Sequence, residues 1–133
     1  MANPFVKESF TRDFMCLPFT HSVTTPSSQM TVTLEYAGLG KKKVAFSSND
    51  KHADVIEKIF AVYPRLKECG LFTMHKGSRG GNNQSLVDVK LNSYDVVAMR
   101  KVFKGRTIVY IRPLQKDLSL LRMNREEVSK KKI

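Results

Sequence analysis

The sequence is poor in the residues that make chemistry legible. Two cysteines, Cys16 and Cys69, among 133 residues are too few and too scattered for a disulfide framework or a zinc site. They fit a reduced chain, cytoplasmic or nuclear. His21, His52 and His75 lie far apart, with no HExxH or CxxC beside them, so neither a metal nor a cofactor is expected. No serine sits in a G-x-S-x-G elbow. Gly40-Lys41 hints at a phosphate loop, but Glu35 stands where the first glycine is needed and Lys42 where Ser or Thr must follow. Cys69 at a helix exit is read as a structural thiol in preference to a nucleophile, because no general base is near it in sequence. No apolar run approaches the roughly 18 residues that span a bilayer. The opening MANPFVKESFTRDF carries charge where a signal peptide needs its apolar core, and Ala2 breaks the myristoylation motif. These absences point away from an enzyme.

Positive charge is what the chain has in excess. There are 23 basic and 12 acidic residues, a net of +11. Residues 1–29 balance, residues 30–90 carry ten basic against six acidic, and residues 91–133 carry eleven against four. Such an imbalance marks either a solvated basic surface or an anionic partner such as nucleic acid. Two clusters are the candidate anion-binding surface: Lys41, Lys42 and Lys43, and the stretch RKVFKGR with Arg100, Lys101, Lys104 and Arg106. Their side chains can neutralise phosphates and release counterions. Neither RNA-recognition aromatics nor a helix-turn-helix accompanies them. A single Arg79-Gly80-Gly81 is read as a flexible loop, not as a repeated RNA-binding segment.

The periodicity predicts an α+β chain. Residues 1–29 read as a flexible arm: Phe5, Phe10, Phe14 and Phe19 follow no clean period, and THSVTTPSSQ has the composition of a linker. In MTVTLEY, Met30, Val32, Leu34 and Tyr36 alternate with polar residues, which predicts a half-buried strand. AGLG supplies a turn, and KKKVAF returns with Val44 and Phe46 inward, giving a hairpin. Val55, Ile56, Ile59, Phe60 and Tyr63 fall on one helical stripe ended by Pro64. LFTMH and SLVDVKL are strands around an open loop. A second, short helix, YDVVAMRKVF, is expected to be capped by Asn92 or Ser93 and ended by Gly105. RTIVYIR is the most continuous apolar run and predicts a central strand buried on both faces, with Pro113 as its exit.

That order of elements, a hairpin, a main helix, strands, a short helix and a late central strand, is the order of a β-grasp, or ubiquitin-like, fold. The expected domain is 30–114, with a basic tail at 115–133 in which Leu118, Leu121 and Val128 have heptad-compatible spacing. The tail is a candidate partner-contact helix, though an isolated helix so short is marginal in water.

Two segments sharpen the reading. VIEKIFAVYPRLKECGLFTMHK and TIVYIRPLQKDLSLL resemble a ubiquitin-like domain of fish and invertebrate HECT-type ubiquitin ligase-like proteins. The likeness runs over residues 30–118 and is carried by Tyr63-Pro64-Arg65-Leu66, Gly70-Leu71-Phe72 and Tyr110 to Leu118. It implies an accessory module without ligase activity, because the large catalytic lobe of those proteins has no room here. The expectation is a non-enzymatic protein-interaction module with an unidentified protein partner, its exposed sheet face, hairpin and tail in contact. The alternatives are a small basic nucleic-acid-binding protein and an accessory piece of a longer ligase-like protein.

Overall fold

A computed structural model of the chain describes residues 9–78 and 83–121. Its elements run β1 (Ser9–Cys16), α1 (Ser28–Tyr36), β2 (Lys42–Ser47), α2 (His52–Val62), a 3-10 turn (Pro64–Glu68), β3 (Phe72–Gly77), β4 (Leu86–Asp88), α3 (Val96–Val102) and β5 (Val109–Pro113). The strands form one mixed sheet in the order β2-β1-β5-β3-β4. β5 lies at the centre, parallel to β1 and antiparallel to β3. The continuous apolar run therefore occupies the position its composition predicts, buried along Val109, Tyr110 and Ile111, and the sheet exits at Pro113.

The strand beside β5 is not the expected one. β1 comes from the stretch read as an arm, where Phe10 and Phe14 stand four residues apart and so share one face of a strand. Phe10 pairs across to Phe46 and Phe14 across to Val109, and all four are buried. Residues 9–16 are thus core, and the folded unit begins well before residue 30.

Met30 to Tyr36, expected as a strand, is the helix α1. A strand places positions 30, 32, 34 and 36 on one side, whereas a helix places 30 and 34 together and turns 32 and 36 away. Leu34 is fully buried and Met30 packs against the core, while Val32 is 53% exposed and Tyr36 57%. Ser27 supplies the cap, its Oγ accepting from the Met30 N–H at 3.1 Å. The AGLG turn is the helix exit: Leu39 N–H donates to Leu34 O at 2.8 Å and Gly38 N–H to Glu35 O at 3.1 Å. This is a Schellman ending, with Gly38 at φ 78°. The strands β1 and β2 are joined by this excursion, not by a tight hairpin turn.

The remaining elements follow the periodicity. Val44 and Phe46 of β2 are buried, as are Val55 and Ile59 of α2. Pro64 begins the 3-10 turn at the end of α2. α3 is capped by Asp95, whose Oδ1 accepts from the Ala98 N–H at 2.8 Å, and not by Asn92 or Ser93. Both of those lie too far before the first helical residue to reach its free N–H groups.

One face of the sheet carries Phe10, Phe14, Val44, Phe46, Val109, Ile111 and Met74, which form the core with residues of α2 and α3. The opposite face, expected to be exposed, is covered over much of its width. Met15, Tyr110 and His75 stand side by side across three strands there, and each is buried. The connection after β1 crosses toward β4: Arg112 donates to Ser22 O at 3.0 Å, and Leu86 N–H donates to Val23 O at 2.9 Å. A Thr24–Ser85 bridge closes the outer edge of β4. α1 then returns the chain to β1, where Cys16 N–H donates to Leu39 O at 2.9 Å.

The segment after β5 is also part of the fold. Leu118 is 4% exposed, its N–H donates to Pro18 O at 2.7 Å, and Asp117 accepts from the Thr20 N–H at 2.8 Å. Arg65 donates to the carbonyls of Ser119 and Leu121. Residues 115–121 form an irregular strap and not a helix, and the packed chain continues past the expected boundary at 114. Arg79, Gly80, Gly81, Val128 and the terminal lysines lie outside the described residues.

A candidate anion-binding surface

The two basic clusters separate into different roles once folded. Lys42 points inward on β2. Its Nζ donates to Gly38 O at 3.1 Å and Val62 O at 2.8 Å and lies 4.9 Å from the centre of the Tyr63 ring. Burial lowers its pKa, with the nearby Cys16 sulfur pulling the other way. It ties the α1 exit to the end of α2 and leaves the expected anion-binding set. Lys41 and Lys43, one position to either side, are exposed, as the period of a strand requires.

Lys43 is brought to Arg106. Both line a groove of about 460 Å³ with Thr11, Arg12, Asp13, Gly105 and Thr107. Arg100, Lys101 and Lys104 line a second groove of about 570 Å³ with Ser48, Asn49 and Val97. The turn Lys104-Gly105-Arg106 separates the two. Val96 N–H donates to Asp50 O at 3.1 Å, which fixes the start of α3 against the loop that contributes Ser48 and Asn49.

Arg12 was not among the expected residues. Its guanidinium lies 4.4 Å from the centre of the Phe10 ring, and that of Arg100 lies 5.7 Å from it. The Arg12 Nε donates to Phe103 O at 2.9 Å and a terminal nitrogen to Thr11 O at 2.7 Å. A half-buried arginine is thereby anchored at the junction of β1 and α3. The available signal was the even spacing of Phe10, Arg12 and Phe14, which places the arginine on the inward face of a strand. It is silent when that segment is taken for a linker.

The expected partner-contact tail does not hold together as a surface. Leu118 is in the core, Leu121 is exposed, and Val128 falls outside the described residues. Leu118 is drawn inward because the strap packs along the connection that follows β1.

The thiols and imidazoles are dispersed. Cys16 and Cys69 are unpaired and buried. Burial, reinforced by Cys69 and opposed by Lys42, drives the Cys16 thiol far above its ordinary pKa. Burial also raises that of Cys69, whose Sγ donates to Leu66 O at 3.1 Å. Both thiols are kept protonated, the poorly nucleophilic form. His52 stacks on Tyr94 and accepts from its N–H at 2.8 Å, His21 stacks on Phe19, and His75 is buried under the sheet's second face. Among the described residues no three His, Cys, Asp or Glu side chains gather as a metal site, and no helix is long and apolar enough to cross a membrane.

Compared with known proteins, the chain matches no family model, no curated protein and no solved structure.

Proposed function

We propose that this chain is a ubiquitin-like β-grasp binding module that acts by surface contact with a protein partner and not by catalysis. The observation that carries the reading is the sheet order β2-β1-β5-β3-β4, with the last strand parallel to the first at its centre. α2 follows the β1–β2 pair and precedes β3, as in a β-grasp. The insertion of α1 between β1 and β2 is this chain's departure from the simplest form. The connection that leads from β1 into α1 crosses the sheet face that a plain hairpin would leave open, so contact shifts to the rim. Leu71 and Leu114 are the candidate contact there: they are 61% and 45% exposed and joined by a Leu114 N–H to Leu71 O bond of 3.0 Å.

A link to ubiquitin signalling is part of the proposal, and a titration tests it. Ubiquitin-recognising domains are added in turn to the isotopically labelled protein while its amide resonances are followed. Saturable shifts centred on Leu71 and Leu114, lost in a Leu71→Asp/Leu114→Asp variant, are the expected result. Unmoved resonances with every domain would remove the link.

A further inference from the structure

The fold gathers cations that the sequence keeps far apart. Arg12 comes from β1, Lys43 from β2, Arg100 and Lys101 from the last turn of α3, and Lys104 and Arg106 from the turn after it. Gly105 at φ 63° makes that turn, and a side chain built there would meet nothing within 4 Å. The turn therefore stands clear between two grooves, each floored by cationic side chains. Asp13 is the only carboxylate among the described residues that line either groove. Among the described residues, none of the six cations lies within 4 Å of a carboxylate. Asp13, opposite Lys43 in the sheet register, is one counter-charge against six cations, and the surplus favours an external anion.

From this arrangement we infer that the two grooves bind the phosphodiester backbone of a nucleic acid. Three of the six are arginines: Arg12 spends two nitrogens on Phe103 O and Thr11 O and adds chiefly charge, while the planar forks of Arg100 and Arg106 match phosphate oxygens. Thr11 beside Lys43 and Arg106, and Ser48 and Asn49 beside Arg100, add uncharged polar groups, while the Thr107 hydroxyl is held by Lys104 O at 2.6 Å. Grooves on both sides of one turn suit a linear polyanion whose charges repeat every few ångströms, rather than a single phosphate. Among the described residues that line the grooves there is no aromatic ring for a base. Phe10 is 2% exposed and lies beneath Arg12 and Arg100. Binding therefore reads the backbone and not the base sequence.

The inference is independent of the β-grasp proposal, since either can fail while the other stands. It is tested with the full chain and two fluorescent probes, a mixed-sequence 20-nucleotide RNA and a DNA duplex of the same length. Affinity is measured between 50 and 200 mM salt. If all six cations engage, the logarithmic slope for the RNA is about −4, at roughly 0.7 per phosphate contact. Arg100→Gln/Lys101→Gln/Lys104→Gln should lower that slope by about 2. Lys67→Gln/Lys90→Gln/Lys116→Gln removes the same charge from exposed lysines outside the grooves and should leave the slope nearly unchanged. Equal losses in the two variants would overturn the site and leave only generic attraction. Polyglutamate displacing the RNA at equal charge concentration would overturn the preference for phosphate and assign the grooves to an acidic protein.

Discussion

Tyr63 is where three parts of the fold meet. It is fully buried at the end of α2, and its hydroxyl lies 2.8 Å from the carbonyl oxygens of both Phe14 and Gly40. Burial, with Cys16 and Asp13 nearby, raises its pKa, so it serves as a neutral donor. Tyr63→Phe keeps the ring and removes the donor, and should destabilise the protein by about 1–3 kcal/mol, the cost of a buried polar group left unpaired. A lower urea midpoint with an unchanged m-value is the expected signature. His75 sets a pH dependence of its own. Burial first, and Arg112 second, hold it below its ordinary value of 6.5, with Asp88 opposing them. The unfolded chain then takes up the proton more readily than the folded one. Stability is complete above pH 6.5 and declines as pH falls from there toward the folded-state pKa. Urea midpoints taken from pH 7.5 down to 5.5 should fall less steeply in His75→Gln than in the parent protein.

At the scale of the element, α1 shows how one sequence can satisfy two periods. Met30 and Leu34 face inward in a strand and in a helix alike, so the residues that carry the hydrophobic signal do not discriminate. Val32 and Tyr36 do, and only their exposure in the fold reveals which period applies. Val32→Ala separates the two. On an exposed helical position it should be neutral or stabilising by about 0.5 kcal/mol, because alanine is the better helix former. In the core of a strand it would cost about 2 kcal/mol. Thermal unfolding of this single variant decides between them. The ends of α1 carried a clearer message than its middle. Ser27 as cap and Ala37-Gly38-Leu39 as a Schellman exit are local signals, and they outweigh the β-branched residues between them.

For the whole molecule, the decisive feature is that β1 lies between β2 and β5. Removing residues 1–29 takes away a strand with partners on both sides and leaves β2 with nothing to pair with. That truncated chain should show no cooperative urea transition and a collapsed amide spectrum, while the full chain unfolds in one step. The basic surface belongs to the same scale. Arg12 and Arg106 are 94 positions apart in the chain, and they share a groove only because the sheet runs β1 alongside β5.

The sequence by itself determined the elements whose local pattern has one solution. β5 is too continuously apolar for any place but the centre. β2 alternates cleanly, with Val44 and Phe46 in and Lys43 and Ala45 out, and α2 carries a full apolar stripe closed by Pro64. Basic character at residues 100–106 was equally legible, because charge needs no fold to be counted. The tertiary structure decided what depended on distant partners. β1 is a strand because β5 and β2 offer it two edges, although its own residues spell that weakly. Leu118 is core because the strap meets Pro18, and Lys42 leaves its two neighbours because carbonyls of Gly38 and Val62 await it. Hydrophobic periodicity records which side of an element is dry. Which element provides the dryness is set by contacts across the chain, and no local window contains them.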